Sequence, residues 1–450
     1  MPSAYWLLSL VILALTCARL LTNWFHLSKA PGPILAGATD LWRAYQQYNG
    51  QLRAKISDLH ARHGPIVRYG VRSISINDPE AESYKVIVGI QNGKEVPSLG
   101  STQDETRHDA IRRSIANAFT QTAALGHESQ IDATIEELLV KIGENKTLDL
   151  SSMILWYTMD AAGRFSFGES LGCLAAEGDV GGSIQLIRDR FNHWGWWSSL
   201  PRLERLVFRN PIAIRQQRAP SSMAAAAMSK LRARSLQTER DNEHVDLLQK
   251  FLIASKNHPQ TLDTSGVVGM LMSTISGAGD TTATTMTAIL FQLLRNPDCL
   301  KKLEAELMGL REIPAYSDFK LADRAPSSGR GFTIAGMSFP EGTSVGCLPS
   351  AIHQNKGIYG EDADIFRPDR WLVSDREQVR VMEAAHMGFS RGRRVCLGQN
   401  IAVMQLKKVI TALVMKYKFS LLHPGTELEA DFSPAVACLK PLHVAVEAKP

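Results

Sequence analysis

Phe389-Ser390-Arg391-Gly392-Arg393-Arg394-Val395-Cys396-Leu397-Gly398 is the stretch on which the reading of this chain turns. It sets one cysteine in a glycine-punctuated, arginine-rich loop, and the apolar run Ile401-Ala402-Val403-Met404 follows at once. Three arginines favour an ionised sulfur, and the N-terminus of a following helix adds a positive end. Gly392 and Gly398 allow the backbone to turn sharply and to approach something flat or bulky. Phe389 offers an aromatic cover. These residues read as a buried thiolate that ligates a metal, with haem iron the first candidate. The alternative is a small buried cysteine behind a surface loop.

A second constellation lies upstream. Between Asp263 and Arg295 the chain carries a single charge, Asp280. The apolar and small residues there predict a helix of ~45 Å over Ser265–Arg295, stopped at Asn296-Pro297. A buried, unpaired carboxylate costs several kcal/mol, so Asp280 needs a partner, water or a function. Gly277-Ala278-Gly279 leaves room on one face, where a flat group could lie, and Thr281 and Thr282 set hydroxyls beside the acid. A second membrane helix and a plain core helix are the competing readings.

Around these two stretches the pattern is mostly α. Amphipathic periodicity predicts helices over Gln51–His63, Thr106–Phe119, His127–Ile142, Asp149–Phe165, Gly182–Trp194, Met223–Thr238, Val245–Ala254 and Pro297–Leu307. Alternation predicts strands at 66–69 and 73–76, and short strands return after Gly331. The cluster Trp194-Gly195-Trp196-Trp197 reads as packing at a helix end or as an apolar lip.

The 450 residues can bury a large core, and 44% hydrophobic with 21% charged residues is ordinary for a folded protein. The net charge of +5 comes without a long basic run, which argues against nucleic acid as a partner. The six cysteines (17, 173, 299, 347, 396 and 438) form no Cys-x-x-Cys pair, against a zinc site or a disulfide scaffold. Residues 5–21 can span a bilayer as one helix if Arg19 snorkels, with Trp6 and Trp24 near its ends. Arg19 and Lys29 on its C-terminal side leave the main domain cytosolic by the positive-inside rule. A cleaved signal peptide is the weaker alternative, because the basic residues follow the apolar run. The expected organisation is an anchor over 1–25, a Pro/Gly hinge over 26–39 and one large domain over 40–450.

The loop from Phe389 to Gly398 resembles, position for position, the Phe-x-x-Gly-x-Arg-x-Cys-x-Gly signature of the cytochrome P-450 superfamily, and the resemblance runs through nearly the whole chain. The stretch Gly277 to Thr282 is similar to the family's oxygen-activating segment, with Ala278 in place of a glycine. Phe366-Arg367-Pro368-Asp369-Arg370-Trp371 resembles its Pro-Glu-Arg-Phe segment. The nearest likeness is to fungal microsomal members of the pisatin demethylase type.

The resemblance implies a large helical lobe with a long central helix, a small β lobe and an N-terminal transmembrane helix, in a haem-thiolate monooxygenase. Cys396 would ligate the iron of haem (heme b). Asp280 and Thr281 would relay protons to bound oxygen. His108, Arg112 and Arg394 would hold the propionates, with Ala278, Phe389 and Gly398 also against the cofactor. Electrons would come from NADPH through a membrane-bound reductase docked on Arg391, Arg393, Lys407 and Lys408. The expected location is the endoplasmic reticulum membrane, single-pass, with a small lipophilic substrate and O2. The pocket would involve Ser265–Gly277, the 90–105 loop, the tryptophans and 432–436.

One family element is missing. No Glu-x-x-Arg lies in Tyr316–Pro326, and the chain looks shortened near 88–92 and 321–326. Arg370 would then lack its family partners. In order, the explanations are a mis-spliced transcript, a degenerate member that binds haem without turnover, or another acid, Asp323 or a different one, in the vacated role. A haem-free membrane scaffold with an inert Cys396 is a third class of function.

Overall fold

The computed structural model describes residues 2–64, 66–76, 89–91, 94–96, 98–102, 104–198, 200–216, 221–236, 246–308, 313, 333–334, 337–338, 344–347, 349–432 and 437–449. The chain divides into two compact units. The first gathers Met1–Tyr84, Gly195–Leu203 and Arg324–Val395; the second gathers Lys85–Trp194, Glu204–Asp323 and Cys396–Pro450.

In the first unit, Ile66–Gly70 and Ser73–Ile76 form an antiparallel hairpin, and Ser344–Cys347 joins it in parallel, Ile74 opposite Val345. Val67 and Ile74 point into the core and are fully buried. Arg68 is buried too. Its guanidinium donates to the carbonyls of Asn23 and Trp24, where the first helix ends, and to those of Gly37, Gly70 and Val71. Saturation by carbonyls is what allows a cation to stay there. Residues 26–39, expected as a hinge, include the short helix Ile34–Ala38. The Arg68 N–H donates to Pro31 at 2.6 Å, and a side chain at Gly32 would collide with the Arg68 carbonyl. The Pro-Gly-Pro turn is therefore clamped to the hairpin, because only glycine permits so close an approach.

The first helix runs Pro2–His26 and leaves Trp6, Leu10, Ile12, Leu15, Leu21 and Phe25 exposed. Among the described residues, no helix is long and apolar enough to cross a membrane.

The second unit is helical, built around Thr264–Arg295. Asp263 caps this central helix by accepting from the Gly266 N–H at 2.7 Å, and Asn296-Pro297 ends it. It packs along Leu150–Phe167, whose buried face includes Met153, Ile154, Tyr157, Met159 and Phe165. Each such fully buried side chain contributes about 1.5–3 kcal/mol. Glu128–Gly143 and Gln399–Lys416 complete the core. A sheet closes one side, with His443–Ala448 central between Thr147–Asp149 and Tyr417–Leu421.

Helix positions follow the sequence pattern closely. The helix expected over 106–119 is α-helical at Glu105–Ile115 and tightens to a 3-10 turn at Ala116–Phe119. The helix expected over 182–194 continues to Trp197. The missing Glu-x-x-Arg stretch 316–326, positions 88 and 92 of the shortened loop and 433–436 lie outside the described residues; Gly89–Gln91 of that loop is a short strand.

Candidate functional site

Cys396 stands three residues ahead of the helix Gln399–Lys416, at the positive end of its dipole. Its side chain is exposed, where the sequence reading expected burial. Arg112, half-buried on Glu105–Ile115, lies close enough for the two charges to interact. Burial lowers the Arg112 pKa, and the negative charges of Cys396 and Asp109 act against that loss. The structure thus brings together two predicted residues 284 positions apart in the chain.

His108 lies one turn before Arg112. It is 2% exposed, and its Nδ1 sits 3.2 Å from the Asp109 carboxylate. Phe389 and Arg394 belong to the first unit, both half-buried.

The arginine-rich loop bends in a way the sequence reading only half anticipated. Gly392 adopts φ +68°, as its freedom allows, but the other left-handed residue is Ser390, at φ +61°. Gly398 has φ −79° and needs no glycine for its backbone; a Cβ there would meet nothing within 4 Å.

On the central helix the small residues divide their work. Gly279 is buried, and a Cβ there would press on Met159 Sδ at 2.7 Å, so this glycine admits the neighbouring helix. Ala278 is half-buried against the core. Gly277 and Thr281, one turn apart, are exposed, and space is open around Gly277. One mid-length face of the helix, at Gly277, Thr281 and Thr285, is therefore open. Thr281 Oγ1 donates back to the Gly277 carbonyl, and Thr285 Oγ1 donates to the Thr281 carbonyl at 2.9 Å.

Asp280 points away from that open face and is 3% exposed. Its partner, which sequence reasoning missed, is Arg188 on Ser183–Trp197, with Nε 3.6 Å from Oδ1. Burial raises the Asp280 pKa, and Arg188 pulls it part of the way back. No spacing rule joins residues 188 and 280, so only the fold could identify this pair.

The short 3-10 turn Leu99–Ser101 packs on the same helix, its Leu99 N–H directed at Met270 Sδ at 3.3 Å. This brings part of the expected 90–105 loop against the stretch Ser265–Gly277. In the tryptophan cluster, the Trp194 ring lies 6.3 Å from Phe191, and Trp196 is half-exposed beside Tyr48.

One sequence expectation needs correction and another is filled in. Lys408 does not belong to a basic docking face: it is 1% exposed and paired with Glu128 and with Asp132 at 2.8 Å, which ties Gln399–Lys416 to Glu128–Gly143. Arg370, expected to lack its family partners, has others close by in the chain. It donates five hydrogen bonds, to the carbonyls of Tyr359, Asp362, Ile365 and Arg367 and to the Asp362 carboxylate at 3.3 Å. The acid is Asp362, eight residues upstream, brought round by the turn at Gly360–Ile365.

The sequence model of the cytochrome P-450 family matches residues 91–325 and 327–446. A cytochrome P-450 monooxygenase of Aspergillus terreus is 30% identical, across 90% of this chain and 92% of that protein. Pisatin demethylase of Fusarium vanettenii is 27% identical, across 93% of this chain and 90% of that protein. A cytochrome P-450 monooxygenase of Emericella nidulans is 26% identical, across 92% and 91%. The alignments run over 459, 474 and 465 positions, more than the 450 residues of this chain, so each opens gaps in it.

Proposed function

The chain belongs to the cytochrome P-450 family of monooxygenases, and on that premise we propose that it inserts one oxygen atom from O2 into a small lipophilic substrate at a haem held by Cys396. The observation that carries this reading is the exposed Cys396 side chain ahead of a helix N-terminus, within electrostatic reach of the Arg112 guanidinium.

The residues present fit the group. A thiolate that ligates iron must be reachable, and the Cys396 side chain is exposed. A planar macrocycle needs a flat, side-chain-poor surface, and Gly277 supplies one on the central helix. Its carboxylates need cations or donors, for which Arg112, Arg394 and His108 are the candidates. When bound, the haem iron supplies the oxygen chemistry, tuned by electron donation from its thiolate ligand.

The chain's own residues would do the rest. Asp280, held near Arg188 and raised in pKa by burial, is suited to carry a proton on Oδ and release it. Thr281, on the open face, offers Oγ1 as the next hydrogen-bonding group once it leaves the Gly277 carbonyl. Met270, Ser273 and Leu99 would shape the substrate side.

The family generally uses a redox-partner reductase, and we assign the electron source to NADPH through such a protein. The exposed apolar residues of Pro2–His26, with the apolar run 5–21, support an anchor in the endoplasmic reticulum membrane with the domain cytosolic. Likeness to pisatin demethylase supports a small organic substrate, which we place among fungal secondary metabolites.

The gaps in this chain favour one second reading, a member that binds haem without turnover. The full set of partners around Arg370 weakens the ground for that reading. The carbon monoxide difference spectrum of the reduced full chain, in microsomes with reductase, tests the proposal. A thiolate-type Soret band is expected and should vanish in Cys396→Ser. No band from folded protein would overturn it.

A further inference from the structure

Four rings close a circuit in the first unit, and the function proposed above uses none of them. His353 and His386 stack at 5.4 Å with their planes 13° apart. Tyr359 meets His353 edge-on at 6.0 Å, Trp371 meets Tyr359 at 6.2 Å, and His386 meets Trp371 edge-on at 6.4 Å. The rings come from four short elements: the end of Pro349–His353, the end of Lys356–Tyr359, the turn Pro368–Trp371 and the residue after Arg376–Ala385. The circuit ties together the segments that lead into the arginine-rich loop.

One bond gives the circuit its chemistry. The buried Met387 N–H donates to His353 Nε2 at 2.9 Å. A ring nitrogen accepts only when it carries no proton, so His353 is the neutral imidazole with its proton on Nδ1. A backbone donor fixes this role, since an amide N–H cannot reverse. Met387 lies two residues before Phe389 and nine before Cys396.

We propose that His353 is a positioning residue for the thiolate loop, holding the chain just ahead of Phe389 through a hydrogen bond that only its neutral form can make. Protonation of Nε2 removes the acceptor, places a cation against the stacked His386 ring, and frees the Met387 segment. The charged groups around the circuit do not favour a second cation. Arg391 acts on Tyr359, and Arg370, paired with Asp362, donates to the Tyr359 carbonyl. Burial, and next the His386 charge, lower the His353 pKa below its ordinary 6.5. With the folded value below the unfolded one, the stabilising contribution is complete above pH 6.5 and is lost as pH falls from there through the folded value.

The proposal rests on Cys396 being the haem ligand only for its consequence, not for the bond itself. The experiment therefore has two arms on the full chain. Hydrogen exchange of the Met387 amide, corrected for intrinsic rate, is followed from about pH 7.5 to 5. Haem retention is followed by the Soret band across the same range. His353→Gln offers an amide oxygen to Met387 but does not titrate, and His353→Leu offers nothing.

In the unaltered protein, Met387 exchange should rise about tenfold as pH falls from 6.5 to the acid end of the range, and haem should dissociate over the same interval. His353→Gln should keep both nearly constant, and His353→Leu should exchange fast at every pH. The inference is overturned if the unaltered chain and His353→Gln lose protection at the same pH, or if His353→Leu protects Met387 as well as the unaltered chain. The exchange arm needs no haem, so it still decides the role of His353 if the cofactor assignment fails.

Discussion

Arg370 and Asp280 are both buried, at 7% and 3% exposure, yet the fold holds them in opposite ways. Arg370 spends its donors on four carbonyls and one carboxylate, all from residues 359–367. Asp280 faces one arginine from a distant helix at 3.6 Å, and burial outweighs that partner in its pKa. A buried charge saturated by local carbonyls is a fastening, because nothing is gained by moving it. A buried charge left incompletely paired is poised to change its protonation state or its partner, which is what proton delivery requires. The two charges separate a stretch fastened by its own backbone, residues 359–370, from the part that would act on substrate.

This contrast can be tested by removing each charge in turn. Arg370→Ala should have the largest effect on stability, because it leaves four carbonyls and the partly buried Asp362 without their donor. A loss of about 3–5 kcal/mol in denaturant unfolding is expected. A loss under about 1 kcal/mol would mean that the arginine is a surface accessory.

Asp280→Asn should do the reverse. Turnover should fall about 100-fold while the fold survives. The sign of the pH effect follows from the raised Asp280 pKa. The ionised acid is disfavoured in the folded chain, so its contribution to stability declines as pH rises from 3.8 through the folded value. The asparagine variant should lack that decline and should unfold at higher denaturant at pH 7. If it unfolds earlier than the parent, Asp280 is a fastening after all and the contrast fails.

Asp362→Asn should be the mildest change. The amide oxygen still accepts from Arg370, and the four carbonyl bonds remain, so about 1 kcal/mol is expected. A cost near that of Arg370→Ala would show that charge, not hydrogen bonding, holds the arginine. Asp362 would then carry the whole role of the missing Glu-x-x-Arg acid.

Helix positions were legible because the apolar periodicity here coincides with packing. The Thr264–Arg295 helix carries its own cap at Asp263 and its own stop at Asn296-Pro297. The turn chemistry of the arginine-rich loop was only partly legible. Gly392 announced its left-handed backbone, but Ser390 reaches the same region without the residue type that signals it. Lys408 was misread because a lysine in a basic-looking row gives no sign that its neighbours on another helix are Glu128 and Asp132.

By itself, the sequence determined the family, the mostly helical build and the candidacy of Cys396, Asp280 and Thr281. Those depend on residues close in the chain, where spacing and residue type already encode the chemistry. Only the tertiary structure decided who answers each charge: Arg188 for Asp280, Asp362 for Arg370, Arg112 beside Cys396, and the Met387 amide for His353. The reason is physical. The cost of a buried charge or donor is met by whichever groups the folded backbone brings within about 3–4 Å, and separation along the chain does not enter that distance.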